Sequence, residues 1–456
     1  MKLSRLTAIS PIDGRYGDNL LKLQPIFSEF GLMYYRLFVE IRWFQALANN
    51  KQISEIPPFS TQANKLLESL ITNFSLKDAK RIKAIEKTTN HDVKAIEYFI
   101  KEKLQKNQRL AKVSEFIHFA CTSEDINNLA YGLMLKTALT DCIIPQINEL
   151  IITLKKLAKK FAKKPMLSRT HGQPATPTTM GKELANFVAR LQRQQQQLKT
   201  IKITGKCNGA VGNYNAHVFT YPNINWENFC SRFVKQLGLE WNSHTTQIES
   251  HDYIAELSHI IMRSNTILMD FCRDTWTYIS LNYFKQKIAK KEVGSSTMPH
   301  KINPIDFENA EGNLGLSNTL FNHFANKLPI SRLQRDLSDS TVMRNIGVSF
   351  AHTSLAYQSI LKGINKLEIN ESIMLHDLQQ HWEILAEPIQ TVMRRYGIKQ
   401  PYEKLKKFTR GKIIDKSSIH AFVDSLNLPS TEKQRLKQLE PKNYLGLAVL
   451  LARKMP

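Results

Sequence analysis

Hydrophobic residues recur at helical spacing through most of the chain. Apolar side chains follow the i, i+3, i+4, i+7 rule over residues 126–138 and again over 184–198. A third such pattern covers 254–271 and extends past residue 279, and two more cover 306–326 and 344–367. Helices this long, with apolar residues on more than one face, pack into bundles that subunits often share.

Changes in this pattern divide the chain into three regions. Residues 1–112 are helical but interrupted by Pro57, Pro58 and polar turns, whereas residues 367–456 contain shorter helices and more loops. We therefore predict an all-α fold with an N-terminal helical domain (1–112), a central long-helix bundle (113–366) and a C-terminal helical domain (367–456). Strand signals are short and confined to 202–204 and 218–221.

Composition adds the expected compartment. Hydrophobic residues make up 42% of the 456 residues, which is ample for a packed core and excludes a disordered chain. The five cysteines are scattered without a C-x-x-C motif, which is typical of a reducing compartment rather than of a disulfide framework. We find no signal-peptide pattern and no uninterrupted apolar run of membrane-spanning length. We therefore expect a cytoplasmic protein.

The net charge invites a nucleic-acid hypothesis. The chain has 63 Lys and Arg against 40 Asp and Glu, a formal charge of +23. The six lysines within 155–164, however, lie opposite an apolar helical stripe and so form an ordinary solvated face. There is no RNA-recognition signature, zinc-finger spacing or basic tail. We therefore favour a general surface property over nucleic-acid binding.

The stretch CTSEDIN, residues 121–127, is not explained by helical periodicity. A hydroxyl followed by two acidic residues is typical of a helix N-terminus, where the hydroxyl caps the helix and the acids favour its dipole. The alternative is that Thr122 and Ser123 offer hydroxyl and backbone N–H groups to an anion.

The stretch SRTHGQPATPTTMG, residues 168–181, predicts a loop just before a helix. Its prolines and first glycine would hold His171 in that loop. A single histidine is often structural, but one flanked by Thr170 and Gln173 is a candidate for proton transfer, because imidazole titrates near neutral pH.

The stretch EVGSSTMPHKINP, residues 292–304, interrupts the helical pattern with small and polar residues. It is either a surface turn or a mobile lid, and the Met, Pro, Lys and Asn behind Ser295 and Ser296 favour the lid.

The stretch SRLQRDLSDSTVMRN, residues 331–345, combines three arginines with serine and threonine hydroxyls. Arginine with hydroxyl groups suits a phosphate. The alternative is a salt-bridged helix start that uses Asp336 and Asp339.

Several other site types are not indicated. The glycine-rich stretch GKCNGAVGNYNA, residues 205–216, has no strand–turn–helix unit around it, so a dinucleotide site is not predicted. The histidines show no H-E-x-x-H spacing, and there is no nucleophile elbow or Walker loop. We predict no metal and no cofactor.

Three of these motifs together resemble the signature regions of the fumarase/aspartase superfamily. They are TSEDIN, SRTHGQPATP and GSSTMPHKINP, in that order on a long-helix scaffold. Within the superfamily the chain resembles the bacterial-type adenylosuccinate lyases over essentially its whole length. That resemblance rests on SPIDGRYGD, TTNHDVKA, TQIESHDY and RDLSDSTVMRN.

The resemblance implies a cofactor-free β-elimination. Fumarate would leave adenylosuccinate to give AMP, and would leave the succinylated carboxamide ribotide SAICAR to give AICAR. It also implies a homotetramer whose tetrameric helical core shares each active site between subunits.

The resemblance also implies the site residues. His171 matches the general acid and Ser295 the general base. The substrate-binding positions it implies are Arg15, Tyr16, Asn90, His91, Asp92, Thr122, Ser123, Gln247, Ser296, Lys301, Ile302, Asn303, Asn309, Arg335, Ser340, Thr341, Val342, Met343 and Arg344.

Two alternatives remain at this point. Another lyase of the superfamily, acting on argininosuccinate or fumarate, would have no use for the phosphate-suited cluster at 331–345. A nucleic-acid-binding or structural protein that kept the scaffold would have no need of intact His171, Ser295 and Lys301.

Overall fold

Helices account for most of the fold. The computed structural model describes residues 3–287, 297–298, 300–411 and 413–455. Its α-helices are α1 (Gln24–Phe27), α2 (Glu29–Ala48), α3 (Thr61–Thr72), α4 (Leu76–Thr89), α5 (Asp92–Leu104), α6 (Gln108–Lys112), α7 (Ser123–Ala138), α8 (Ile144–Lys160), α9 (Met180–Thr200), α10 (Asn215–Thr220), α11 (Trp226–Gln236), α12 (Asp252–Ser280), α13 (Ile305–Lys327), α14 (Ser338–Met343), α15 (Ile346–Lys366), α16 (Glu371–Gln379), α17 (Ala386–Arg395), α18 (Pro401–Thr409), α19 (Lys416–Ser425), α20 (Ser430–Lys437) and α21 (Ala448–Arg453).

Strands are few and pair only two at a time. They are β1 (Pro165–Thr170), β2 (Gln173–Thr179), β3 (Thr204–Gly205), β4 (Glu240–Trp241), β5 (Phe284–Gln286) and β6 (Leu367–Ile369). The pairs β1–β2 and β5–β6 are antiparallel, and β3–β4 is parallel. Short 3-10 turns cover Gly17–Leu20, Ser114–Phe116, Trp382–Leu385 and Pro441–Asn443, and a π-helical turn at Leu139–Ile143 joins α7 to α8.

The predicted all-α class is confirmed. The five long periodic patterns correspond to α7, α9, α12, α13 and α15. The strand signal at 218–221 is wrong, because that stretch falls on α10 and its C-cap. Among the described residues no helix is long and apolar enough to cross a membrane.

The chain forms two compact units, each built from three separate stretches. The first unit contains residues 1–146, 194–266 and 312–356, and the second contains 147–193, 267–311 and 357–456. Both units draw on the long helices. The division into three regions at residues 112 and 366 stays a prediction.

In the first unit, α2 packs against α7. The helix α2 begins after Ser28, whose hydroxyl accepts the Gly31 N–H at 3.1 Å. It buries Leu37, Trp43 and Phe44 completely. Such burial of large apolar side chains is the main favourable term for this contact.

A polar cluster links three long helices of the same unit. The Asn265 amide donates to the Ser317 hydroxyl at 3.2 Å and to the Thr353 hydroxyl at 3.3 Å. The Ser317 and Thr353 hydroxyls are 2.7 Å apart. Because buried polar groups need partners, this cluster fixes the register of α12, α13 and α15 in this unit.

In the second unit, the hairpin β1–β2 packs against α16. Arg169 on β1 forms an ion pair with Asp377 at 2.8 Å, and the Tyr283 hydroxyl also bonds Asp377. The core of the C-terminal helices is a cluster of buried aliphatic side chains that includes Leu385, Met393 and Val423. These contacts hold the hairpin on the C-terminal helices.

Candidate functional site

A cavity of about 580 Å³ lies within the first unit. Its lining comes from several separate stretches of sequence: His91, Asp92, Ser123, Asn127, Ala210, Val211, Gln247, Leu333, Gln334, Arg335, Asp336, Leu337 and Ser340. Six of these residues are predicted substrate-binding positions, so the fold brings together four of the motifs that the sequence separates.

Arg36 links two walls of the cavity from inside the protein. Its side chain is 3% exposed, and its guanidinium lies 2.8 Å from Asp92 Oδ2. Its Nε also donates to Asn127 Oδ1 at 2.8 Å. Asn127 in turn donates to Glu124 Oε1 at 2.7 Å. Helices α2, α5 and α7 are thereby joined through polar side chains at the cavity.

The same chain of contacts continues to the opposite wall. Arg335 lies 3.0 Å from Glu124 Oε1 and donates to Gln247 Oε1 at 3.3 Å. Gln247 then donates to the Ala210 carbonyl at 3.1 Å. The side chains of Arg335 and Gln247 are therefore held in place before any substrate binds.

Arg344 also has carboxylate partners. Its guanidinium lies 2.8 Å from Asp92 Oδ2 and 3.0 Å from Glu29 Oε2. Burial opposes ionisation of Asp92, but the charges of Arg36 and Arg344 outweigh burial and hold the pKa of this carboxyl below its usual value. Burial similarly opposes the charge of Arg344, and the facing Tyr131, Glu29 and Asp92 nevertheless raise its pKa.

His91 caps the helix that carries Asp92. Its Nδ1 accepts the Lys94 N–H at 3.2 Å, so Nδ1 is unprotonated and the ring proton lies on Nε2. The residue before it, Asn90, ends α4 in the left-handed conformation, with φ of +50°. This sharp turn places His91 and Asp92 side by side on the cavity wall.

The start of α7 is held by Asp125. Its Oδ2 accepts the Thr122 N–H at 2.9 Å, and Ser123 is the first helical residue. The sequence predicts that the Ser123 hydroxyl caps this helix. The N-cap is instead Thr122, one residue earlier in the chain. The half-buried Ser123 side chain is one of those that line the cavity.

The turn before α14 is organised by Asp336. Its Oδ1 accepts the Ser338 N–H at 2.8 Å, and its Oδ2 accepts the Arg332 N–H at 3.0 Å. The Ser338 hydroxyl also donates to Asp336, and this bond, together with the two backbone hydrogen bonds, holds the pKa of Asp336 well below its usual value. Ser340 on α14 lines the cavity, whereas Met343 and Arg344 line a separate cavity of about 90 Å³. Thr341 and Val342 lie on α14 and line neither of these two cavities.

The remaining predicted positions are distributed over both units. Arg15 and Tyr16 lie in the first unit, with the guanidinium 5.8 Å from the ring centroid. The second unit contains His171, Lys301, Ile302, Asn303 and Asn309. Ser295 and Ser296 lie outside the described residues.

The prediction of a loop around His171 is wrong in one respect. His171 and Gly172 form the tight turn of the β1–β2 hairpin, with φ of +53° and +75°. The helix follows only at Met180. The imidazole is exposed at the tip of a paired hairpin, which holds it more firmly than an irregular loop would.

Elsewhere in the second unit, Asn309 already has a partner. Its Oδ1 accepts the Ser359 hydroxyl at 2.8 Å. The Ile302 carbonyl accepts the Gln286 side-chain amide at 3.2 Å, which ties the segment after residue 300 to β5.

A cation site is not evident in the described ranges. No group of three or more His, Cys, Asp or Glu side chains there has an arrangement that could hold a metal ion.

Sequence reasoning missed Arg36 and Lys206. Arg36 lies on the buried face of α2, four residues after Leu32 and four before Glu40. A charged residue at a core position of a helix is itself a signal of a buried pair. Lys206 is completely buried beside Asp125. It lies in the glycine-rich stretch 205–216, whose glycines also indicate a close approach of the backbone to a neighbouring element.

Comparison with known families covers nearly the whole chain. Residues 14–316 match the family model described as lyase, and residues 331–445 match the one described as adenylosuccinate lyase C-terminal.

Two solved structures share the fold. The 3-carboxy-cis,cis-muconate lactonizing enzyme from Pseudomonas putida is 21% identical, with a TM-score of 0.72 over 95% of both chains. The β-carboxy-cis,cis-muconate cycloisomerase from Acinetobacter calcoaceticus is 15% identical, with a TM-score of 0.70 over 94% of this chain and 96% of that one. At this level of identity the likeness shows the architecture alone.

Curated relatives are much more similar. The adenylosuccinate lyase of Haemophilus influenzae is 59% identical over 100% of both chains. That of Escherichia coli K12 is 58% identical over 99% of both, and that of Buchnera aphidicola from Acyrthosiphon pisum is 57% identical over 98% of both. The chain therefore belongs to the adenylosuccinate lyase family of carbon–nitrogen lyases, within the fumarase/aspartase superfamily.

Proposed function

We propose that the protein removes fumarate from adenylosuccinate, leaving AMP, and from SAICAR, leaving AICAR. The observation that carries the proposal is the meeting of four motifs at one cavity in the first unit, with Asp92, Ser123, Gln247, Arg335 and Ser340 on its walls. The full-length similarity to the enzymes named adenylosuccinate lyase supports the choice of substrate.

The reaction is a β-elimination with two proton transfers. A base removes a proton from the carbon next to a carboxylate, the carbon–nitrogen bond breaks, and the departing nitrogen takes a proton from an acid. We assign the acid to His171 and the base to Ser295. A serine becomes basic enough only where positive charge and N–H groups stabilise its alkoxide, and Lys301 is the cation assigned to that task.

The carbanion stage adds charge to a group that already bears two carboxylates. Fixed donors and a cation must therefore surround it. We assign this role to Thr122, Ser123, Ser296, Lys301 and Asn303.

The nucleotide end requires phosphate recognition. Arginine guanidinium groups and serine hydroxyls suit that anion. We assign Arg15, Arg335, Ser340 and Arg344 to the phosphate, and Tyr16 and Asn90 to the rest of the nucleotide. Both Arg335 and Arg344 are ion-paired with carboxylates. A bound phosphate would therefore replace a carboxylate as the anionic partner of each guanidinium.

Near the succinyl group we assign His91, Asp92 and Gln247, and we assign Asn309 to another polar contact with the substrate. The Nε2 proton supports the assignment of His91, because it makes the ring a donor toward an anion.

We further propose a cytoplasmic homotetramer whose active sites combine segments of several subunits. In a single chain Leu316 on α13 is 56% exposed. On the same helix α13, side chains at Gly312 and Gly315 would meet nothing within 4 Å. A large apolar side chain beside open small residues suits a helix-to-helix contact between copies.

The test is purified protein mixed with adenylosuccinate, followed by ultraviolet absorbance. The expected result is conversion to AMP and fumarate, and the same with SAICAR to give AICAR. Activity on argininosuccinate or fumarate in place of these substrates would contradict the proposal, and so would tight, salt-sensitive DNA binding without any turnover.

The acid and base assignments are tested by single variants. Ser295→Ala and His171→Gln should each lower kcat by at least about 100-fold, with little change in melting temperature. The control is His376→Gln, an exposed histidine on α16, which should retain full activity. Near-normal turnover by either site variant would refute its assignment.

A further inference from the structure

The segment 205–216 contains a buried cation with no role in the proposed chemistry. Lys206 Nζ lies 3.0 Å from Asp125 Oδ1, and both side chains are 0% exposed. Two desolvated charges at this distance are costly to bury unless they are well paired. We therefore expect the ion pair between Lys206 and Asp125 to have a role where it lies.

The ion pair lies at the centre of a junction between two backbone segments. Asp125 accepts N–H groups from Thr122 at 2.9 Å, Asn208 at 3.0 Å and Gly209 at 3.1 Å. Lys206 Nζ also donates to the Gly209 carbonyl at 2.9 Å. The carboxylate thus holds the start of α7 with one oxygen and the loop after β3 with both.

A second set of contacts fixes the same junction. Asn128 on α7 accepts the Lys206 N–H at 2.8 Å and donates to the Lys206 carbonyl at 3.0 Å. The approach is close because position 205 is glycine: a Cβ there would lie 2.6 Å from Leu129 Cδ2. The loop cannot move along α7 without breaking these bonds.

Both joined segments form walls of the candidate cavity. Ser123 and Asn127 line it from α7, and Ala210 and Val211 line it from the loop. The Ala210 carbonyl also receives the amide of Gln247.

We propose that Lys206 is a positioning residue, which through its ion pair with Asp125 holds these two walls of the cavity at the separation that the substrate requires. The inference rests on the proposed function for the identity of that substrate. Lys206 itself touches no reacting atom, because it is wholly buried behind the wall.

The first experiment measures steady-state kinetics on adenylosuccinate. In Lys206→Met the carboxylate of Asp125 loses its counter-charge, so the two walls separate. We expect kcat/KM to fall by about 100-fold, with most of the change in KM, because a wall displaced by about 1 Å weakens binding throughout the reaction. A KM within twofold of the wild type, measured at least about 10 °C below the variant's melting temperature, would overturn the proposal.

Two further variants separate positioning from general stability. Lys206→Met/Asp125→Asn removes both charges and should recover part of the lost affinity, because no unpaired carboxylate remains buried. Lys101→Met is the control, since this lysine pairs with Glu97 and Glu115 away from the cavity. It should lower the melting temperature but leave KM unchanged, and an equal KM effect in the control would refute positioning.

Hydrogen exchange followed by mass spectrometry tests the junction without any substrate. Lys206→Met, or Asp125→Asn if the first variant fails to fold, should accelerate exchange in peptides covering 122–128 and 206–211 only. Unchanged exchange in both peptides would overturn the proposal. If the wild-type protein is inactive on both substrates but the variants show this acceleration of exchange, the proposed function is refuted and Lys206 remains the residue that holds the junction.

Discussion

Arg36 contacts two residues of the candidate site from the buried face of α2. Replacing it by methionine would keep an unbranched apolar stem but leave Asp92 and Asn127 without their buried partner. We expect Arg36→Met to lower the free energy of unfolding by about 3 kcal/mol. It should also raise KM for adenylosuccinate, because Asp92 lines the cavity.

The control for this prediction is Arg81→Met. Arg81 and Glu102 form a comparable fork-like pair on the surface, where both side chains are about half exposed. Surface pairs contribute at most about 1 kcal/mol, so this variant should unfold almost like the wild type. Both are measured by urea denaturation at one protein concentration, and equal losses would contradict the prediction.

His217 should make the protein sensitive to acid. The ring is fully buried against Trp43 and Trp226, and burial lowers its pKa from 6.5 to about 4. Below pH 6.5 the unfolded chain therefore takes up a proton before the folded protein does. The free energy of unfolding therefore decreases as the pH falls from 6.5 to about 4, by a total of about 3 kcal/mol.

The measurement is stability against pH for wild type and His217→Leu. The difference in unfolding free energy between them should change by about 3 kcal/mol from pH 7 to pH 4, in favour of the variant. His376→Gln, at an exposed position, serves as the control and should follow the wild-type curve. If the unfolding free energies of wild type and His217→Leu changed equally from pH 7 to pH 4, the buried ring would not have the lowered pKa.

At the scale of elements, the turn before α14 depends on Asp336. Asp336→Ala would free the Ser338 and Arg332 N–H groups that its carboxylate accepts. The segment bearing Arg335 and Ser340 would then lose its fixed geometry. We expect KM for adenylosuccinate to rise by about tenfold, with a smaller effect on kcat.

A similar carboxylate elsewhere supplies the control. Asp415 accepts the Ser418 N–H at 2.8 Å in the capping box of α19, in the second unit. Asp415→Ala should affect α19 and leave KM unchanged. The two variants are compared by steady-state kinetics, and a matching KM change in both would indicate a general effect of lost caps.

The elements predicted well are those in which the apolar pattern repeats over many helical turns. The 29-residue helix α12 has enough turns for its stripe to be unambiguous. The hairpin β1–β2 was missed because Pro174 and Pro177 are typical of loops, whereas an edge strand tolerates proline. In α10 the exposed Val218 and Phe219 favour a strand by composition, but the stretch forms a short helix whose buried side chain is His217.

Site residues show the same division between local and distant information. Arg335 belongs to a stretch whose composition suits a phosphate, whereas Asp92 and Gln247 were expected from the family resemblance alone. The pairing of Arg36 with Asp92 joins residues 56 positions apart, and no local pattern encodes it. The same holds for Lys206 and Asp125, which only the fold brings together.

At the scale of the whole molecule, the proposed tetramer gives a direct test. Four copies of the 52.5-kDa chain give about 210 kDa. Leu316→Glu on α13 would place a charge on a large apolar side chain that we assign to the subunit contact. We expect smaller species by light scattering and a loss of activity, since desolvating that carboxylate opposes association.

The control is Leu76→Glu, at the first residue of α4, where the leucine is 68% exposed. This variant should keep the wild-type mass and activity. Monomeric Leu316→Glu with full activity would refute the sharing of active sites between subunits.

The carboxylates that pair with Arg335 and Arg344 have a consequence for selectivity. Arg335 and Arg344 are neutralised by Glu124, Glu29 and Asp92 in the protein itself. A small inorganic anion that displaced one of these carboxylates would gain little, because it offers the arginine nothing that the carboxylate does not already supply. The proposed nucleotide substrate would gain further contacts along the cavity walls. We therefore expect inorganic phosphate to inhibit the reaction with adenylosuccinate only weakly, as measured by steady-state inhibition kinetics.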